Sequence, residues 1–406
     1  MNLNDLTRLS ETYRTGLLED TLSFWTGRCV DHEHGGFTFC LDRQGNLYDT
    51  DKGMWQQGRF TWMLGTLYCQ VQRRPEWLDL AKHGVEFIRK HGFDEDGRMF
   101  FIVTKEGDPL RKRRYVFTET FTTTAFAAYA RAANDERAGE QALELFRLVV
   151  RYLTTPGLLP PRHMPRTRDY RGLATPIVVL GTAQELQKIS DDPILDEWIE
   201  RSIDDIEKYH LHDEFEAVLE TVSPQGAFID HHEGRTLNPG HAIEAGWFVL
   251  REALRRGRDP HLIRLGTTIV DWAWRWGWDE QYGGMIYFRD VLNKPFTEYW
   301  HDMKFWWPQN ETIIANLLAY YLTDDPKYAQ RHRLIHEWTY QHFPDREFGE
   351  WFGYLHRDGR VSTDVKGNLW KGPFHLPRMQ LYAWRLCEAI LEKRKSGRET
   401  PASEIF

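Results

Sequence analysis

Segments of similar pattern recur along this chain at a spacing of roughly sixty residues, and that period limits the folds open to it more than any other feature. DHEHGGFTF from Asp31, DEQYGGMIYF from Asp279 and DREFGEWFGY from Asp345 each place an Asp four residues before a Gly and follow it with aromatic-rich, strand-like sequence. A second turn glycine follows ten residues on at Gly45 and Gly359, and a weaker copy pairs Gly97 with Gly107. These are hairpin signatures. HDEFEAVLE around Asp213 and the Pro/Gly-rich TTPGLLPP around Pro156 complete a series at about 31, 94, 156, 213, 279 and 345.

Between these landmarks the apolar spacing is helical, two helices to a unit: residues 55–71 with 76–90, 119–133 with 136–152, and 241–256 with 260–276. Six such units predict an all-α fold, an (α/α)6 barrel of six helical hairpins with short β-hairpins at one end. The alternative is an open α-solenoid, whose repeats are usually shorter and whose ends need caps. The expected organisation is one barrel domain over residues 1–395 and a polar tail over 396–406.

Net charge is -8 and the basic residues are dispersed apart from Arg111–Arg114, so neither nucleic acid nor an anionic membrane is an expected partner. The N-terminal stretch reads as an amphipathic helix carrying acidic residues, unlike a signal peptide, and no apolar run nears the ~20 residues of a membrane span. A cytoplasmic location is expected. Cys29, Cys40, Cys69 and Cys387 lack the paired spacing of a zinc site or disulfide framework and read as packing residues. The 17 Trp, 17 Tyr and 23 Phe serve a wide core, and flat aromatic faces also suit sugar rings.

One helix of each pair begins just after a hairpin, and those starts carry the protonatable residues: Arg59, Glu119, His241 with Glu244, Glu311, and His375 with Arg378. In a ring of parallel inner helices these N-terminal ends meet around one mouth. His241, Glu244 and Phe248 share a helix face at i, i+3, i+7, and His375 and Arg378 repeat the i, i+3 spacing. Pro239–Gly240 and Pro373 precede the two histidines, where a helix can start. Two histidines therefore occupy matching positions in two repeats. The remaining histidines lack a third ligand at metal-site spacing, and no metal site is expected. No GxGxxG after a strand, GxxxxGK[ST] or GxSxG is present, which points to acid–base chemistry by side chains alone.

WQQGRFTWM, NPGHAIEAGWF, KFWWPQNE, EFGEWFGYLHRDG and GPFHLPR, in this order and across nearly the whole chain, resemble the characteristic segments of the N-acylglucosamine 2-epimerase family. The resemblance implies an (α/α)6 barrel and an isomerase interconverting N-acetylglucosamine and N-acetylmannosamine. It implies active-site roles for Arg59, His241, Glu311, His375 and Arg378. Gln309 stands where some relatives carry a histidine. No cofactor would be consumed, ATP would act as a non-consumed activator, and the enzyme would be a homodimer acting on an N-acyl amino sugar.

Inverting C2 requires opening the sugar ring, because only the free aldehyde makes the C2 proton acidic and allows an enediolate-like anion with charge on O1. Removal on one face and return on the other call for two groups, and histidine, with a reference pKa near ~6.5, suits both tasks. His241 and His375 are the expected pair, with Glu311 orienting a histidine and Arg59 and Arg378 facing the oxyanion. Trp55, Trp306, Trp307, Gln309, Glu244 and Glu119 are expected around the sugar. The alternatives are aldose–ketose isomerisation or 2-epimerisation of mannose, glucose or cellobiose, an (α/α)6 glycoside hydrolase built on two carboxylates, and a non-catalytic sugar-binding protein.

Overall fold

The computed structural model describes residues 1–406. Its helices are α1 (Leu3–Thr15), α2 (Leu22–Thr26), α3 (Met54–Gln70), α4 (Pro75–His91), α5 (Phe117–Ala133), α6 (Glu136–Thr154), α7 (Ala174–Leu186), α8 (Pro193–Asp205), α9 (His232–Arg235), α10 (Pro239–Arg255), α11 (Pro260–Gly277), α12 (Trp306–Thr323), α13 (Pro326–His342), α14 (His375–Ser396) and α15 (Ala402–Ile405). Six of them, α3, α5, α7, α10, α12 and α14, form an inner ring, and α1, α4, α6, α8, α11 and α13 pack outside it. This is the (α/α)6 barrel that the sixty-residue spacing predicts.

Side-chain distribution decides which helix goes where. Every residue of α12 from Trp306 to Leu322 is buried, because an inner helix has neighbours on all sides. Outer α6 buries Ala138, Ala142, Leu145, Phe146 and Val149, a single stripe at i, i+4, i+7, i+8 and i+11. Three outer helices start from an Asp-Pro pair in which the Asp side chain caps free amides, Asp192 on Ile194, Asp259 on His261 and Leu262, and Asp325 on Lys327.

The recurring Asp of the hairpins has a structural task. Lys52, Lys304 and Lys366, all fully buried, place their ammonium groups 2.7, 3.0 and 3.0 Å from Asp31, Asp279 and Asp345. The same ammonium groups donate to the carbonyls of the turn glycines Gly35, Gly283 and Gly349. Those glycines adopt φ of 84°, 73° and 78°, the left-handed region that a Cβ disfavours. Lys52 and Lys304 lie on two-residue strands that lead into α3 and α12 and pair antiparallel with the next unit's hairpin, Gly53 opposite Ile102 and Phe305 opposite Tyr354. These pairings stitch the first unit to the second and the fifth to the sixth at the mouth of the barrel. Arg43 closes the ring from first unit to last, donating to both oxygens of Asp345 at 2.8 and 3.1 Å.

Two expectations differ from the structure. The segment around Pro156 forms no hairpin: residues 155–170 run through turns and bends, and only Arg171–Gly172 pair, with Thr221–Val222. Residues 396–406 are not simply a polar tail. The chain folds back under the barrel, Tyr321 Oη donates to Thr400 O at 3.0 Å, and Ile405 and Phe406 are buried.

Candidate active site

A cavity of about 750 Å³ opens among the N-terminal ends of the inner helices and runs down the barrel axis. Near the mouth it is lined by Trp55, Phe117, Ala174, His241, Trp306, Trp307 and His375, and one turn deeper by Arg59, Phe121, Glu244 and Arg378. It ends at Trp62, Glu185, Arg251 and Tyr382. Six separate inner helices contribute to this wall, so residues far apart in sequence meet because each sits in the first turns of its own helix.

The two histidines both line this cavity beside Trp307, whose ring centroid lies 5.3 Å from that of His241 and 5.7 Å from that of His375. Each is oriented by a carboxylate at Nδ1. His241 Nδ1 lies 3.0 Å from both oxygens of Glu220, and His375 Nδ1 lies 2.7 Å from Glu311 Oε1. A proton held on Nδ1 by these carboxylates leaves Nε2 free to exchange a proton with a bound molecule.

Their protonation is biased in opposite directions. Burial opposes a charge on His241, but the Glu220 carboxylate outweighs it and its pKa is raised. Burial and then the guanidinium groups of Arg378 and Arg59 push His375 well below the usual histidine value. A proton is therefore favoured on His241 and disfavoured on His375.

The cations divide similarly. Arg378 Nη2 contacts Glu244 Oε1 at 2.6 Å and Glu311 Oε1 at 2.8 Å, and these carboxylates outweigh its burial and raise its pKa. Its charge is compensated inside the protein. Arg59 enters no ion pair, and its Nε is buried without a hydrogen-bond partner. Its guanidinium lies 4.1 Å from the Phe121 ring and 4.8 Å from that of Phe374, and burial pulls its pKa down to about 9. A buried cation with no ion-pair partner on a cavity wall is a place for an anion.

Ligand atoms of Glu244, Glu311 and His375 fall within 4.8 Å of one another, which raises the question of a metal. The Arg378 guanidinium already bridges the two carboxylates, so a cation there would have to displace it. The same arrangement speaks against a carboxylate pair for glycoside hydrolysis. Glu311 Oε1 is taken by His375 and Arg378 and its Oε2 accepts from Trp247 Nε1 at 2.8 Å, which leaves no oxygen free to attack an anomeric carbon.

Two residues expected at the sugar lie elsewhere. Gln309 is fully buried and clamps a hairpin, accepting from Met285 N at 2.7 Å and donating to Met285 O at 2.9 Å. Gln57 makes the same pair of bonds to Phe37 in the first unit. Glu119 accepts from Met99 N and from Arg98 Nε at 3.0 and 2.5 Å. All three tie an inner helix to its hairpin, and the residue two positions on, Arg59, Phe121 or Glu311, points toward the barrel interior. Sequence reading missed Glu220 and the Trp247 hydrogen bond to Glu311.

The family profile described as N-acylglucosamine 2-epimerase (GlcNAc 2-epimerase) matches residues 35–375. The chain is 35% identical to the N-acylglucosamine 2-epimerase of Bos taurus over 398 residues, covering 96% of this chain and 92% of that one. The chain belongs to the N-acylglucosamine 2-epimerase family. The Homo sapiens N-acylglucosamine 2-epimerase is 34% identical over 388 residues, 93% of this chain and 90% of its own. Among solved structures, cellobiose 2-epimerase from Spirochaeta thermophila DSM 6192 superimposes with a TM-score of 0.83 at 22% identity, covering 96% and 99% of the two chains. The chain thus shares the (α/α)6 barrel of these solved structures, and its relatives make it a carbohydrate epimerase. No helix is long and apolar enough to cross a membrane.

Proposed function

We propose that this epimerase interconverts N-acetylglucosamine and N-acetylmannosamine by moving the C2 proton between two histidines. The observation that carries the reading is the pair of oppositely biased imidazoles on a cavity that also holds the unpaired Arg59. The ring opens first, giving a free aldehyde. His375 Nε2 takes the C2 proton from one face, the C2–H electron pair moves into an enolate across C1 and C2, and the negative charge on O1 faces Arg59. His241 Nε2 returns a proton to C2 from the other face. For the reverse reaction the two exchange roles after the protons redistribute.

Glu220 and Glu311 fix the tautomers, and Arg378 balances Glu244 and Glu311 so that the base is not over-stabilised as a cation. Trp55, Trp306 and Trp307 supply flat faces to the sugar. Family resemblance alone supports three further proposals: ATP as a non-consumed activator, a homodimer, and a cytoplasmic site of action. Titration calorimetry with ATP, sedimentation and cell fractionation test them in turn.

Proton NMR of N-acetylglucosamine incubated with the enzyme tests the reaction. Appearance of N-acetylmannosamine supports the reading. Turnover only of mannose, glucose or cellobiose, to the C2 epimer or to the ketose, would replace it with one of the sister reactions.

A further inference from the structure

Beneath the cavity lies a residue that touches no part of it. Phe406 is 1% exposed, and its ring packs parallel to that of Trp247 at 15° with centroids 6.2 Å apart. It also meets Tyr382 edge-on at 5.0 Å and the Arg251 guanidinium at 5.4 Å. Trp247, Tyr382 and Arg251 all line the cavity on their other side. The segment that carries Phe406 is tied to the barrel by the Thr400–Tyr321 pair, in which Thr400 N donates to Tyr321 Oη at 2.7 Å and Tyr321 Oη donates to Thr400 O, and by the Arg258–Glu399 ion pair.

Trp247 leads from this plug to the chemistry. Its Nε1 donates to Glu311 Oε2 at 2.8 Å, and Glu311 Oε1 holds His375 Nδ1 at 2.7 Å. An indole on a helix has two χ angles, and the bond to Glu311 requires one setting of both. Phe406 lies parallel against that ring. We infer that Phe406 is a positioning residue for the active site: by packing on Trp247 from below the cavity it keeps the indole N–H on Glu311, and through Glu311 it sets the orientation of His375. This rests on the reading of His375 as the base.

The proposal has a spectroscopic consequence. Without the indole donor, the Glu311 charge falls more fully on His375 and favours its imidazolium form. The other charged groups that face His375, Arg378 on its own helix, Arg59 on α3, and Glu244 and His241 on α10, remain in place. His375 should then titrate at a higher pH than in the wild type.

The experiment is a titration of the full chain labelled with 13C at histidine Cε1, with the His375 signal assigned by His375→Gln. Phe406→Ala and Trp247→Phe should raise the His375 midpoint by the same amount, and the double variant should add nothing to either. Phe406→Tyr should restore the wild-type value. In parallel, kcat should fall about tenfold, as loss of one hydrogen bond to a charged group implies, with KM within about threefold. Phe406→Leu, which keeps most of the buried volume without the ring, replaces the alanine variant if that one does not fold. An unmoved His375 midpoint in folded Phe406 variants, or a double variant whose shift is the sum of the singles, overturns the proposal. A wild type that shows the coupling yet leaves N-acetylglucosamine untouched refutes the proposed reaction instead and leaves the positioning role standing.

Discussion

Glu220 is the sharpest handle on the acid side of the mechanism. In Glu220→Gln the amide keeps the size of the side chain and removes the charge that sits 3.0 Å from His241 Nδ1 through both oxygens. A hydrogen bond between charged partners contributes about 1.5–3 kcal/mol, and the lower end applies because 31% of the His241 side chain and 20% of that of Glu220 remain open to solvent. About 1.4 kcal/mol is one pH unit and a factor of about ten. With Glu220 gone only the weaker pull of Glu244 opposes burial at His241, so its titration moves down. In the direction in which His241 donates, the alkaline limb of the kcat/KM profile should shift about one unit lower and the plateau should fall roughly tenfold, while the acidic limb set by His375 stays.

Stability follows the same sign. The folded-state pKa of His241 is raised, so its contribution is present below the unfolded value near ~6.5 and is lost as pH rises through the folded value. The urea midpoint of Glu220→Gln should therefore lie below wild type in acid and converge with it in alkali. Stopped NMR assays across pH and urea melts by circular dichroism provide both readings. An unmoved alkaline limb, or a shift of the acidic limb instead, refutes the assignment of His241 as the acid.

Arg59→Gln should lower kcat by about 10²–10³ as an oxyanion partner is lost, while thermal stability holds or rises because an uncompensated buried cation has been removed; NMR turnover and scanning calorimetry read the two effects. Gln309→Leu should leave kcat per folded molecule near wild type and lower stability by about 1–3 kcal/mol, since it orphans the backbone groups of Met285. Burial raises the Asp31 pKa, but Lys52 and the amides of His34 and Glu33 outweigh it and hold it at about 2. Its stabilisation is present above the unfolded value near ~3.9 and lost as pH falls through about 2. Asp31→Asn should flatten that part of the acid-unfolding curve and cost about 3–5 kcal/mol at neutral pH by leaving Lys52 buried and unpaired, as urea melts would show.

The barrel was legible because its unit repeats: Asp31, Asp279 and Asp345 recur to hold Lys52, Lys304 and Lys366, and chemistry repeated at one period is visible without coordinates. The third unit was the weak point. Its inner helix starts ATPIVVLG, with no charged residue to mark the mouth, and its loop at 155–170 carries no hairpin. Within the site, His241 and His375 stood out by matching positions, but helix starts alone do not say which face turns inward. Two residues separate Gln309 from Glu311, a rotation of about 200°, and that decides between a hairpin clamp and the cavity side. The same ambiguity misplaced Glu119. Glu220 reaches His241 across space from the far end of HDEFEAVLE, and sequence spacing carries no trace of that contact. Ile405 and Phe406 are too few apolar residues after the charged run of α14 and its tail to announce that they are buried.

Deuterium exchange in the single histidine variants tests whether two histidines serve opposite faces of C2. N-acetylglucosamine and N-acetylmannosamine are each incubated in D2O with His241→Ala and with His375→Ala, and the C2 proton signal is followed by NMR. Neither variant should interconvert the sugars, and each should wash deuterium into one of them only, a different one for each variant. A variant lacking either histidine that still epimerises with label at C2, or two variants that exchange the same sugar, would contradict it.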